Sequence, residues 1–414
     1  MVSSGKLRRN KQYYKFCVYG FLKNLQFYEA FLILFLMEKG LSFTAIGTLY
    51  AVREISTNIL EVPSGLAADV LGRKKTLAVS FLSYISSFLI FYFYTSYSFF
   101  LLAFFFYGAG EALRSGTHKG MIADYLTSRG MKNQMVDYYG HTRSWSQMGL
   151  ALSSLIAGFI VFYTGRYDQI FLFSTFPFLA DFLLILSYPK ELDRSPGKSS
   201  RRARLKGVLK ESFNVLKSGR ILKLLNNSAL HTAYLKAMKD YIQPMMVSLI
   251  LFLPLFAGRG GEDRSALLIG FLYFLIFILT SLASKNSYRL EKSGIKNIPF
   301  LTLLCGLTAG LLSGFFYSIH IPSLAVFFFI LIYVNENMRK PVLTGAISAA
   351  VDNAVLTSIL SLQSQLKTLM TAFIAFLFGV IADHGGIALA LISISAGFLL
   401  LTLLLNAFSD PERS

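Results

Sequence analysis

The chain has 414 residues, of which 54% are hydrophobic and only 15% charged, with 39 Phe and a formal net charge of +18. A soluble domain carries about 25% charged residues, so this composition excludes an ordinary soluble globular protein and points to a chain built for lipid. A surplus of cations can signal nucleic acid, but their distribution along the chain, described below, excludes that partner.

A helix needs about 20 apolar residues to cross a bilayer. Twelve runs qualify: 16–36, 44–66, 76–95, 99–121, 142–163, 168–188, 226–252, 267–284, 298–318, 321–340, 359–381 and 386–407. The expected fold class is therefore an all-α membrane protein with twelve transmembrane helices. The first run is too long for a cleavable signal peptide, and no small-residue cleavage site follows it. Cys17 and Cys305 both lie in runs, which argues against a disulfide.

Ionisable groups at membrane depth cost about 2.5–3.5 kcal/mol each on insertion scales and face a cavity or a partner. The first run carries Lys23 near one end and Glu29 near mid-depth. In the second, Glu54, Asn58 and Glu61 stand at i, i+4 and i+7 and share a face, with Arg53 expected on another. About ten residues then turn into the third run: Gly65-Leu-Ala-Ala-Asp69-Val-Leu-Gly72-Arg73-Lys74-Lys75. Gly72 suits the tight turn, and Gly65 would let a neighbouring helix approach.

The fourth run places Glu111, Arg114, Ser115 and His118 on one stripe, with His118 read as a solvated residue near the inner surface. The fifth opens with Arg143, Trp145 and Gln147, where Trp145 suits an interfacial anchor. The sixth carries Asp181. Glu29 and Asp181 lack a cation at i±3 or i±4, and lone carboxylates in an apolar site suit proton binding. Glu29 and Glu54 lead as groups for proton coupling or cation contact.

The longest hydrophilic stretch, 189–225, splits the runs six and six, and from Arg201 to Leu225 it reads as an amphipathic surface helix or a plain linker. In the seventh run Lys236 and Asp240 stand at i, i+4 and would neutralise each other, with Lys239 beside them; Pro244 predicts a kink. The tenth carries Glu336 and Arg339, and the eleventh Lys367. Glu336-x-x-Arg339 repeats Glu111-x-x-Arg114, and each is followed by an Asp, Asp352 and Asp124. Such pairs either keep buried charge tolerable or present it to a cavity.

With twelve spans both termini fall on one side. That side holds 30 of the 40 Lys and Arg, and the opposite loops hold four. This asymmetry makes both termini cytoplasmic. It accounts for the net charge through topology and attraction to lipid head groups, and leaves no role for nucleic acid. There is no G-x-x-x-x-G-K-[ST] phosphate loop, no Cys/His metal cluster and no Gly-x-Ser-x-Gly. No enzyme, cofactor or metal is expected.

The pattern G-x-x-x-D-x-x-G-R-K-K between two spans resembles the major facilitator superfamily of secondary transporters, where it marks the loop between helices 2 and 3. Gly108–Gly116 and Ser358–Ser364 resemble its bacterial drug-efflux-like branch. The resemblance implies two six-helix bundles, 1–188 and 226–414, joined by a cytoplasmic linker at 189–225. It implies a monomer in the bacterial cytoplasmic membrane that moves a small organic solute by alternating access, with a proton or other coupling ion. It also implies that Gly65, Asp69, Gly72, Arg73, Lys74 and Lys75 form a gating latch. Asp69 would face the N-terminus of the eleventh helix and Arg73 would pair with Asp124. Candidates for substrate or proton contact are Glu29, Arg53, Glu54, Asn58, Glu61, Glu111, Arg114, Asp181, Lys236, Lys239, Asp240, Glu336 and Arg339. Proton-coupled efflux of an amphipathic or drug-like compound is the leading expectation. The alternatives are carriage of an anionic solute and a transport-inactive sensor or scaffold. The antiporter signature R-x-x-x-G is not matched, because Arg114 is followed by Gly116 and Gly120, and no Pro follows Gly149 and Gly158 in the fifth run.

Overall fold

The computed structural model describes residues 10–131, 134–193, 219–251, 261–292, 294, 297–350 and 353–407. Among these, every regular element is helical. The α-helices are α1 Lys11–Lys23, α2 Leu32–Glu38, α3 Phe43–Val70, α4 Arg73–Phe93, α5 Tyr97–Arg114, α6 Thr117–Ser128, α7 Met135–Thr164, α8 Gln169–Leu186, α9 Gly219–Met238, α10 Ile242–Leu251, α11 Gly261–Lys285, α12 Ser287–Glu291, α13 Ile298–Ser318, α14 Pro322–Ala350 and α15 Asn353–Ala407. Seven segments among the described residues are long and apolar enough to cross a membrane. The last of them, Ser361–Leu404, contains two expected runs, because Gly385 and Gly386 leave helical geometry inside α15. Residues 194–218, which hold most of the expected linker, and Asp352 lie outside the described residues.

Three expected runs are interrupted, each for a local reason. In the first, Asn24 Nδ2 donates to Gly20 O (2.7 Å) and Gln26 Nε2 to Lys23 O (3.2 Å), so side-chain amides engage carbonyls at the end of α1. Glu29 therefore sits in a short 3₁₀ turn, Phe27–Ala30, and not within a continuous α-helix. In the fourth, Gly116 takes φ +73 between α5 and α6, which breaks the expected Glu111–His118 stripe. In the seventh, a 3₁₀ turn at Lys239–Tyr241 separates α9 from α10. Pro244 is thus the third residue of a new helix, a position where it is tolerated, and the break precedes it.

The chain divides into two compact units. Unit 1 comprises Met1–Phe31, Ile55–Lys198 and Ala266–Phe277; unit 2 comprises Leu32–Glu54, Ser199–Ser265 and Ile278–Ser414. Compared with a division at 189–225, each unit takes in one segment from the other half, and a close glycine crossing accompanies each. In unit 1, a Cβ on Gly158 would lie 2.9 Å from Ala266 O, and one on Gly270 would lie 2.6 Å from Ser154 O, so the α7 and α11 backbones touch. In unit 2, a Cβ on Gly47 would collide with Ala375 O, and one on Gly379 with Phe43 O, so α3 and α15 meet likewise. Small residues let helices approach in this way. Within unit 1, α4 packs on α5 and α8, and α1 packs on α7.

Candidate functional site

The basic turn of unit 1 is held by three partners. Gly72 takes φ +96, which a side chain rarely adopts, and a Cβ there would strike the Asp193 carboxylate. Asp193 Oδ1 accepts the Lys74 N–H (3.0 Å), capping the start of α4, where a helix favours an anion. Lys74 Nζ donates to Tyr188 O (2.8 Å), and Arg73 Nη1 lies 2.6 Å from Asp124 Oδ2. Lys75 is exposed, and the Asp69 side chain lies outside the described residues. A Cβ on Gly65 would meet nothing within 4 Å among the described residues.

Beside this turn, faces of α1, α6 and α7, with the end of α5, enclose a cavity of about 600 Å³. On α1, Phe16, Tyr19, Gly20 and Lys23 recur at helical spacing, and on α7 Tyr139, Thr142, Arg143, Ser146 and Gln147 do the same. The two helices come close because Gly20 lies against Thr142 O and Gly149 against Phe21 O. Among the described residues four cations line the cavity, Lys23, Arg114, Lys119 and Arg143, together with His118, and no Asp or Glu does. Lys23 has no ion-pair partner among the described residues. Arg114 pairs with Glu111, and Tyr84 bridges them: its hydroxyl donates to Glu111 Oε2 (2.6 Å) and accepts from Arg114 Nε (3.3 Å). His118 is not solvated as expected. Its ring is 8% exposed, stacks on Tyr19 at 3.6 Å, and its Nε2 lies 3.4 Å from the Tyr188 hydroxyl.

Asp181 of α8, in the same unit, is fully buried and has no hydrogen-bond partner on either oxygen among the described residues. Asn58 and Glu61 lie on the unit 1 part of α3 and are half-buried, as is Glu29.

The charges of unit 2 pair differently from the helical spacing. Lys236 Nζ lies 2.6 Å from Glu54 Oε2, not against Asp240. The 3₁₀ turn at Lys239–Tyr241 takes Asp240 off the face of α9. There Asp240 accepts from the Tyr50 hydroxyl (2.7 Å) and lies 3.7 Å from Lys239 Nζ. Arg53 also reaches Glu54, with Nε 3.2 Å from Oε1, because its long side chain curls over the Tyr50 ring. Glu54 thus has two cations and is 1% exposed.

Further along unit 2, Glu336 accepts from His231 Nδ1 (2.7 Å) and Thr232 Oγ1 (2.5 Å) and lies 3.7 Å from Arg339 Nη1. Asn335 Nδ2 donates to His231 Nε2 (3.0 Å), which leaves Nδ1 as the ring N–H. A second cavity, about 180 Å³, is lined by Ser228, Thr232, Thr344, Gln363, Lys340 and Lys367, among others, again with no carboxylate among the described residues. His231, Asn335 and Asp193 are functional-site residues that no motif in the sequence marks. The polar stripe Asn227, Ser228, His231 and Thr232, at i and i+4 in a span, was the available signal for the first.

The Major Facilitator Superfamily model matches residues 18–390. The uncharacterized MFS-type transporter YxaM of Bacillus subtilis (strain 168) is 23% identical over 379 residues, covering 90% of this chain and 89% of its own. Among solved structures, the nucleoside transporter NupG matches 97% of this chain and 100% of its own with a TM-score of 0.73 at 15% identity. A D-xylose-proton symporter matches 95% of each chain with a TM-score of 0.64 at 16% identity. These last two likenesses concern the fold. The family match spans nearly the whole chain, and the chain belongs to the Major Facilitator Superfamily: it is an integral membrane transporter of small molecules, not an enzyme.

Proposed function

We propose that the chain carries a small organic solute bearing an anionic group, by alternating access, with both termini in the cytoplasm. The supporting observation is the unit 1 cavity, where among the described residues four cations and no carboxylate meet hydroxyl, amide and aromatic groups. A site of low dielectric lined by one sign of charge concentrates ligands of the opposite sign. Arg114 and Arg143 offer planar donors that suit a carboxylate or phosphate, while Tyr19, Tyr139 and Phe16 offer apolar surface to the rest of the solute. This lining favours the anionic alternative over amphipathic drug efflux. The Arg73–Asp124 pair and the Asp193 cap support the turn as a latch that holds α4 to α6 in one state of the cycle.

A thermal-shift comparison on purified protein tests the reading, since a ligand that binds the folded state raises its apparent stability. Small carboxylates and phosphates are expected to stabilise the protein while their neutral amide and alcohol counterparts do not, and Arg114→Gln should remove the difference. Equal stabilisation by neutral or cationic solutes overturns it.

A further inference from the structure

The unit 1 cavity holds more positive charge than one acidic group can offset. Arg114 has Glu111 at its side. Arg143, by contrast, makes no ion pair or hydrogen bond among the described residues, and the Lys23 ammonium has no ion-pair partner there. Both line the cavity. Two like charges beside low-dielectric walls repel more strongly than in open water, and a monoanion seated on one leaves the other without a counter-charge.

The cations also stand at two levels. Helices α1 and α7 run side by side in the same direction. The Tyr13 hydroxyl lies 2.5 Å from His141 Nδ1, Gly20 lies against Thr142 O and Ser146 Oγ, and Gly149 lies against Phe21 O. Arg143 follows Thr142 and is one turn on from Tyr139, so it shares a face with that residue. The Tyr139 hydroxyl donates to Lys119 O (2.8 Å), which brings Lys119 to the same end of the cavity. Lys23 lies at the other end, beyond Gly20 and Phe21. Arg114 belongs with Lys23: its Nε donates to the Tyr84 hydroxyl (3.3 Å), Tyr84 packs on Phe81, and Phe81 packs on Tyr19, one turn before Lys23. From the rise of an α-helix, these contacts set Arg143 and Lys23 about 6–12 Å apart along the helices. Between the two levels the wall is Gly20 and the Tyr19–His118 stack.

We propose that the solute is a dianion with its two acidic groups set apart on a short chain, as in a small dicarboxylate; the proposal rests on the anionic reading of the cavity. One acidic group sits at the Lys23–Arg114 end, and the other sits on Arg143, with Lys119 beside it. The planar fork of Arg143 suits a carboxylate, which it can hold through two parallel N–H bonds. The chain between the acidic groups passes the missing side chain of Gly20 and lies along the aromatic stack. A phosphate monoester puts both charges on one group and so reaches only one of the two levels. A monocarboxylate binds at the Lys23–Arg114 end and leaves Arg143 unused.

Isothermal titration calorimetry on the purified protein, at neutral pH and matched ionic strength, tests this with glutarate, pentanoate and pentanamide, which share a five-carbon chain. Wild-type protein is expected to bind glutarate about tenfold or more tighter than pentanoate. Arg143→Gln should bring glutarate down to the pentanoate affinity while pentanoate itself binds as before. Arg143→Lys should keep part of the advantage, and Lys119→Gln should reduce it. Arg143 is exposed and without partners, so its substitution should leave the melting temperature unchanged. Glutarate binding no tighter than pentanoate in the wild-type protein overturns the proposal, as does a glutarate advantage that Arg143→Gln leaves intact. The two readings fail separately. Pentanoate binding no better than pentanamide removes the anionic reading and this inference with it, whereas pentanoate above pentanamide but level with glutarate removes only the second acidic group.

Discussion

The same four-residue pattern, Glu-x-x-Arg, lies in an apolar run of each unit, at Glu111–Arg114 and at Glu336–Arg339, and these two copies are built differently. Arg339 is 0% exposed, and its guanidinium donates to Thr302 Oγ1 (3.0 Å), Asn227 O (2.9 Å) and Pro299 O (3.1 Å). It ties α14 to the middle of α9 and the start of α13. Arg114 has Glu111 and one tyrosine hydroxyl, and it opens on the cavity. The carboxylates differ in the same direction. Glu336 has His231 and Thr232 as donors, while Glu111 has Tyr84 and Arg114. One copy is a closed clasp, whereas the other keeps a charge available to a ligand. Identical spacing thus fixes which residues meet and leaves open what else they meet.

The comparison breaks most sharply at Arg339. Arg339→Ala leaves Glu336 buried without its cation and empties the socket between three helices. Removing one partner of a buried pair costs about 3–5 kcal/mol, enough to deplete the folded protein. Thermal unfolding in detergent should show it, and a loss as small as that of Arg114→Gln would show that the two copies are equivalent after all.

Glycine packing gives the next contrast. The partner ring of each carboxylate lies on a glycine: His231 on Gly306 and Tyr84 on Gly110. A Cβ on Gly306 would overlap His231 Nε2, whereas one on Gly110 would sit 3.0 Å from Ser80 O and 3.1 Å from the Tyr84 ring. Gly306→Ala must displace the ring that orients Glu336, an overpacking cost of about 1–3 kcal/mol. Gly110→Ala should cost less, and the difference in melting temperature between the two variants measures how much tighter the unit 2 clasp is.

How far these distinctions were legible in the sequence depends on the range of the interaction. Apolar runs long enough for a bilayer, the turn at Gly72 and the two Glu-x-x-Arg pairs are local, and sequence displays them. The break at Lys239–Tyr241 was less legible, because Pro244 suggested a kink while the chain changes helix type before it. That shift redirected Lys236 from Asp240, four residues on, to Glu54, which is 182 residues away. Arg53 was misread for a similar reason: adjacent residues point apart along a helix, but a guanidinium long enough to lie over Tyr50 can fold back. The orphaned state of Asp181 was half visible, as a carboxylate with no cation at helical spacing. The cationic cavity was not, because Lys23, Arg114 and Arg143 come from three separate helices.

Arg114→Gln separates function from stability. The Glu111–Arg114 pair is partly open, with 32% and 20% of the side chains exposed, and such pairs are worth about 1 kcal/mol or less. The melting temperature should therefore fall only slightly, while affinity for a small carboxylate drops about tenfold or more, which is about 1.4 kcal/mol or more. A variant that unfolds as readily as Arg339→Ala would place Arg114 in a clasp of the same kind.

Asp383 supplies the exposed limit of the comparison. It stands in unit 2 just before the Gly385–Gly386 break, where its Oδ1 accepts the Phe43 N–H (2.7 Å) and its Oδ2 the Thr44 N–H (2.8 Å). Both donors belong to the first turn of α3, whose free N–H groups need acceptors. Asp383 thus caps a helix from 340 residues away in sequence. Water reaches this carboxylate, so the N–H groups it releases in Asp383→Ala can bond to solvent instead. The expected loss is at most about 1 kcal/mol, the usual value of a cap. If burial sets the cost of losing a charge here, melting temperatures should rank Arg339→Ala lowest, Arg114→Gln well above it, and Asp383→Ala at or above Arg114→Gln. A large loss at Asp383 would mean that its grip on α3, and not its solvent exposure, governs the cost, and that unit 2 depends on this cap as it does on Arg339.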